Sequence, residues 1–118
     1  MSMPKADEAT REYFHSLLPD FAPVTVRPMF GNLAGFVNGN MFTGIFGESV
    51  FVRLPEEDRE ELLRVPGAAP FAPMPGRPMR EYVTLPEAWR EEPEVARAWV
   101  ERSLAWAAGL PAKEKKKR

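Results

Sequence analysis

Cysteine is absent from the 118 residues, which excludes disulfides, thiolate metal sites and cysteine nucleophiles. Histidine occurs once, as His15. With no second ligand or catalytic partner placed near it, this imidazole reads as a boundary residue between the apolar stripe of a helix and solvent. Long apolar runs are missing as well: none approaches the roughly 18 residues of a membrane span. Met1 to Asp7 lacks the basic-then-apolar order of a secretion signal, so the cytoplasm is the expected compartment, with no membrane contact. These absences leave no catalytic residue, no cofactor and no metal site to name. The length suits one domain with a single core, and is too short for a catalytic and a regulatory module together.

Basic residues are scarce in the body of the chain. The formal charge of −1 hides a division, because Lys113, Lys115, Lys116, Lys117 and Arg118 crowd the extreme C-terminus. Without that tail and its one acid, Glu114, eleven basic side chains face sixteen acidic ones. An acidic body argues against a broad phosphate-binding surface, so direct nucleic-acid binding is unexpected except through the tail. The division expected is a single domain over 1–111 and a solvated basic tail over 112–118.

What is present is organised around Asn32 to Leu54. Asn38-Gly39 lies between apolar runs and suits a type I′ hairpin turn, because both residues tolerate positive φ. Gly47-Glu48 suits a type II′ turn. The spacing predicts strands over Leu33 to Val37, Met41 to Phe46 and Ser49 to Leu54. Pairing outward from the turns places Phe36, Met41, Thr43, Ile45, Val50, Val52 and Leu54 on one face. Leu33, Gly35, Val37, Phe42, Gly44, Phe46, Phe51 and Arg53 then share the other, with Gly35 near Phe42 and Gly44 near Phe51, so that rings can lie over bare backbone. Neither face alternates apolar with polar, so each needs a cover.

Elsewhere, Glu8 to Leu18 reads as an amphipathic helix capped by Asp7 and stopped by Pro19. Val24 to Arg27 reads as a strand halted by Pro28. Pro55 to Arg64 reads as a short helix with Glu56, Glu57 and Asp58 at its positive end. Pro66 to Pro78 is an irregular connection or edge segment, since its prolines cannot donate to a ladder. Met79 to Leu85 returns to strand, Pro86 to Trp89 is a helical turn, and Pro93 to Ala108 is a helix ended by Gly109 and Pro111. Trp99 and Trp106 fall on one side of that helix as core candidates. The expectation is an α+β two-layer domain: an antiparallel sheet of about five strands with helices on one face. The uncovered apolar face, carrying Phe42, Phe46, Phe51, Leu33 and Val37, is then a candidate interface for a homodimer. A second candidate is a carboxylate or phosphate site built from Arg27, Arg53, Arg77 and Arg80, for which salt bridges to the many acids are the competing use.

Arg27-Pro28-Met29-Phe30-Gly31, Asn38-Gly39-Asn40-Met41-Phe42 and Val50-Phe51-Val52-Arg53, followed by Phe71, Met79 with Tyr82, Leu85-Pro86 and Trp99, form a recognisable order. In that order the chain resembles the TfoX N-terminal domain family, named after the TfoX/Sxy regulator of bacterial competence, over nearly its whole length. It departs where the usual Gly-Gly is Gly31-Asn32, where a tyrosine is Phe36, and where Tyr-x-Lys is Phe51-Val52-Arg53. The resemblance implies a secretion-chaperone-like fold, a tie to transcriptional control of DNA uptake, and no established catalysis. It also implies that the full-length regulator carries a second, C-terminal domain for DNA-related contacts, and that a stand-alone N-terminal domain keeps the partner-binding part of the work. A non-enzymatic interaction module with a protein partner is thus the expected function, and a small-molecule binding protein or enzyme using the four arginines is the alternative.

Overall fold

The computed structural model describes residues 6–19, 23–29, 32–74 and 76–112. The basic run Lys113 to Arg118, most of the N-terminal stretch and the turn residues Phe30 and Gly31 lie outside the described residues. The element order is α1 (Glu8–Leu17), β1 (Thr25–Met29), β2 (Asn32–Val37), β3 (Asn40–Phe46), β4 (Ser49–Arg53), α2 (Glu56–Leu63), β5 (Ala69–Pro70), β6 (Tyr82–Thr84), a 3₁₀ turn (Glu87–Glu91) and α3 (Pro93–Ala107). Among the described residues, six strands form one antiparallel sheet in the order β1-β2-β3-β4-β6-β5. The fold is α+β, as its pattern of elements predicts, with one strand more than the five expected. The addition is β5, a two-residue edge inside the Pro-rich connection, where Ala69 and Pro70 pair with Thr84 and Val83.

Both hairpin turns form as their sequences dictate. Asn38 and Gly39 have φ of 52° and 80°, the two positive values of a type I′ turn. Gly47 alone is positive at the second turn, with φ 64°, in keeping with glycine leading a type II′ turn. The asparagines around the first turn also hold the far end of α3. Asn38 Nδ2 donates to the Ala108 carbonyl at 3.4 Å, and Asn40 Nδ2 donates to that of Pro111 at 3.0 Å. Helix ends leave such carbonyls without intrahelical partners.

The three helices pack on one face of the sheet. Phe14 and Leu17 of α1, Leu62 of α2 and Val100, Leu104 and Ala107 of α3 close over Phe42, Ile45, Val52 and Val83. Asp7 caps α1 as expected, its carboxylate accepting from the Thr10 N–H at 2.8 Å. That bond holds the Asp7 carboxyl below its ordinary value of 3.8. Trp99 is buried in this core, whereas Trp106 is half-buried beside Arg53.

The face assignment read from the sequence needs one correction. Register between β2 and β3 shifts at Gly35/Phe36: Gly35 pairs with Thr43, but Phe36 pairs with Met41. Phe42 is therefore a bulge residue, and a bulge places two neighbours of one strand opposite a single partner, reversing the alternation beyond it. Leu33, Gly35, Val37 and Phe42 consequently share the helix-covered face with Ile45, Val50, Val52 and Leu54. Phe36 and Met41 join Gly44, Phe46, Phe51 and Arg53 on the opposite, outer face. Two ring-over-glycine contacts do form. A Cβ on Gly35 would lie 3.5 Å from the Phe42 ring, and one on Gly44 would collide with the Phe51 ring.

The outer face is not bare. The chain between β5 and β6 returns across it, and Phe71 stacks on Phe51 with centroids 4.0 Å apart and planes 13° from parallel. Phe71 also meets Phe46 edge-on at 5.7 Å. Backbone bonds hold this strap down, from Phe71 N–H to Tyr82 O at 3.1 Å and from Met79 N–H to Phe71 O at 2.7 Å. Among the described residues, helices thus cover one side of the sheet and an irregular strap covers part of the other.

Candidate functional site

The five residues expected to form one apolar interface divide between the two faces. Val37 and Phe42 are buried under the helices and Leu33 packs partly against that same core, so none of them belongs to an outer surface. Phe51 is on the outer face but is sealed by Phe71 and Tyr82, leaving Phe46 as the half-buried member. The bulge explains the division, because Asn38-Gly39 pairing alone does not reveal an extra residue in β3. Among the described residues, the apolar groups packed partly exposed against the outer cluster include Met29, Phe36, Phe46 and Met79, and Met74 on the strap is 51 % exposed. The alternating strands marked Phe36 as one of a set. Nothing in the Pro-rich segment marked where Met74 and Met79 would land.

The four candidate arginines do not converge. Arg27 on β1 and Arg53 on β4 share the outer face but are three strand spacings apart, about 14 Å from sheet geometry. Arg53 Nη2 meets Glu81 Oε1 at 2.8 Å, and its guanidinium lies 5.8 Å from the Tyr82 ring and 5.5 Å from that of Trp106. Its charge is committed inside the fold. Arg27 lies over the Phe36 ring at 4.7 Å and is otherwise exposed. Arg77 and Arg80 are exposed on the strap, and among the described residues neither makes an ion pair. Arg53 is thus paired with Glu81, and the other three arginines are exposed.

Two recesses lie elsewhere. One, between Tyr13, Ser49, Trp89 and Arg90, has room of about 30 Å³, enough for about one water. Two of its polar groups are partnered within the fold: Tyr13 donates to the Trp89 carbonyl at 3.1 Å, and Arg90 lies over the Tyr13 ring and donates to Thr10 Oγ1. Burial raises the Tyr13 hydroxyl above its ordinary value. The other is an open apolar groove of about 350 Å³ between Pro23, Val37, Leu104, Ala105 and Ala108. Neither contains any of the four candidate arginines. Among the described residues, no three His, Asp or Glu side chains group as a metal would require, and no helix is long and apolar enough to cross a membrane.

The model of the TfoX N-terminal domain matches residues 16–107. The chain belongs to the TfoX N-terminal domain family. That match covers all six strands, α2, α3 and the strap, and so takes in the whole outer face. No curated protein and no solved structure matches the chain. Asn32, at the start of β2, has a structural use. Its buried Oδ1 accepts from the Ala6 N–H at 2.6 Å and from the Gly47 N–H at 3.3 Å, tying the residue before α1 to the second hairpin turn.

Proposed function

We propose that this TfoX N-terminal domain is a non-enzymatic interaction module in the cytoplasm that acts in regulation through a protein partner. The observation supporting this reading is the outer face, where methionine and phenylalanine side chains surround a strap whose tip, Met74, is exposed. Methionine is unbranched and polarisable, and surfaces rich in it adapt to partner side chains. Membership of a family named after a competence regulator agrees with a regulatory use. The anion-site alternative draws no support from the arginines, which stand apart or are paired.

Site-specific photo-crosslinking tests the proposal. A photoreactive residue at position 74 on the strap is expected to capture a defined protein in cells of the source organism, in competition with excess unlabelled chain. The same group at position 64, on the helical side, is expected not to. Capture from position 64 alone, or from neither, would refute the reading.

A further inference from the structure

The charge of the molecule is divided between its two sides. From Pro23 to Leu54 and from Val65 to Leu85, the described residues carry Arg27, Arg53, Arg77 and Arg80 against only Glu48 and Glu81. The helical segments 6–18, 55–64 and 86–112 carry six arginines against thirteen acids. The sheet side is thus weakly cationic and the helical side strongly anionic. On the sheet side Glu81 is taken by Arg53, while Arg27 lies over Phe36 of the outer cluster and Arg77 and Arg80 are exposed on the strap that carries Met74 and Met79, none of these three in an ion pair among the described residues.

From this juxtaposition we infer that the outer face docks an acidic, amphipathic segment of a partner protein. Apolar side chains of that segment seat among the methionines and Phe36, and its carboxylates meet Arg27, Arg77 and Arg80. The inference rests on the interaction reading above and specifies the partner's chemistry. Guanidinium groups suit such carboxylates because their planar fork donates two parallel hydrogen bonds.

Three other occupants fit less well. A second copy docked face to face sets these arginines against their copies, and like charges in apposition oppose association. The chain's own C-terminal run from Lys113 to Arg118 carries the same sign as these arginines. A nucleic acid needs a broad cationic track. Here only Arg27, Arg77 and Arg80 stand outside ion pairs on the sheet segments among the described residues, and the anionic helical side repels a polyanion.

Panning a display library of random peptides, about 16 residues long, over the full chain tests the inference. The expected pool is acidic, with two or more large apolar residues per peptide. A synthetic copy of its commonest member, followed by fluorescence anisotropy, is expected to bind about tenfold or more weakly to the R77E/R80E double variant. It is expected to bind R64E, changed on the helical side, as it binds the native chain. Circular dichroism checks that the double variant folds, which exposed positions should permit. A neutral or basic pool, binders indifferent to R77E/R80E, or no enrichment would overturn the inference. So would a duplex DNA probe that binds better than the peptides and is lost in R77E/R80E, or a dimer of the native chain that the double variant abolishes. A partner crosslinked at position 74 together with a basic or neutral pool would refute only the acidic chemistry. Failure to crosslink at position 74 would refute the interaction reading itself.

Discussion

Ser103 shows how one hydroxyl accommodates an irregular strand. The bulge at Phe42 turns a backbone carbonyl out of the ladder, and a buried carbonyl without a donor costs free energy. The Ser103 hydroxyl, buried on α3, lies 2.6 Å from the carbonyl oxygens of both Phe42 and Arg53. Ser103→Ala is therefore expected to destabilise the domain by about 1–3 kcal/mol, despite alanine's better helix propensity. Urea unfolding checks this, and an unchanged midpoint would mean that the carbonyls are satisfied otherwise. Glu81 is the opposite case, a residue kept in an unfavourable conformation. Its φ of 77° lies where L-residues other than glycine are strained by about 1 kcal/mol. Its backbone carbonyl accepts from Leu54 N–H at 2.9 Å, and its side chain pairs with Arg53. Glu81→Gly and Glu81→Ala both remove the ion pair, but only glycine relieves the backbone. The glycine variant is expected to be the more stable of the two by about 1 kcal/mol, the reverse of the order at a helical position. Equal thermal midpoints for the two would remove the strain argument.

At the scale of elements, the strap decides what the outer face becomes. Phe71 is 3 % exposed, stacked on Phe51 and edge-on to Phe46. Truncating Phe71 to alanine removes both contacts and leaves a cavity, at a cost of about 3–5 kcal/mol. The Phe71 and Met79 amides are then expected to exchange with solvent faster than those of β3 and β4, with increased binding of a hydrophobic dye. Hydrogen exchange that rises evenly across the sheet would instead show that the strap does not open by itself. Much of the architecture was legible in the sequence. The two glycine turns, the Asp7 cap, the stop at Gly109 and the period of α3 each rest on chemistry local to a few residues. Two features were not legible, and both arise from tertiary pairing. The Phe42 bulge is a two-against-one register that depends on what β2 offers opposite, so alternation counted from the Asn38-Gly39 turn assigned Val37 and Phe42 to the same face as Phe46 and Phe51. The path of the strap depends on Phe71 finding Phe51, a contact that prolines on either side neither require nor forbid. The candidate site suffered most, because it was defined by the face assignment that the bulge reverses.

At the scale of the whole molecule, the anionic helical side gives stability a dependence on pH whose sign follows from two carboxylates. Asp7 accepts from the Thr10 amide, and Glu61 accepts from Arg102, whose guanidinium also meets Asp58 and lies 4.0 Å over the Trp99 ring. The Thr10 amide holds the Asp7 carboxyl below its ordinary value of 3.8, and the Arg102 hydrogen bond holds that of Glu61 below 4.5. A group whose folded-state value is depressed binds its proton more readily when unfolded. Its contribution is therefore fully present above the ordinary value and is lost as pH falls through the folded one. Both groups are exposed, and solvent screening keeps each contribution small. The expectation is a melting temperature that is level from neutral pH to about 5 and declines below about 4.5. In Asp7→Asn and Glu61→Gln the gap from the native chain is expected to be open at pH 7 and to close in acid. A gap that stays constant down to pH 3 would mean that these side chains act through packing or hydrogen bonding alone, and that their charge contributes nothing to holding α1 and α2 in place.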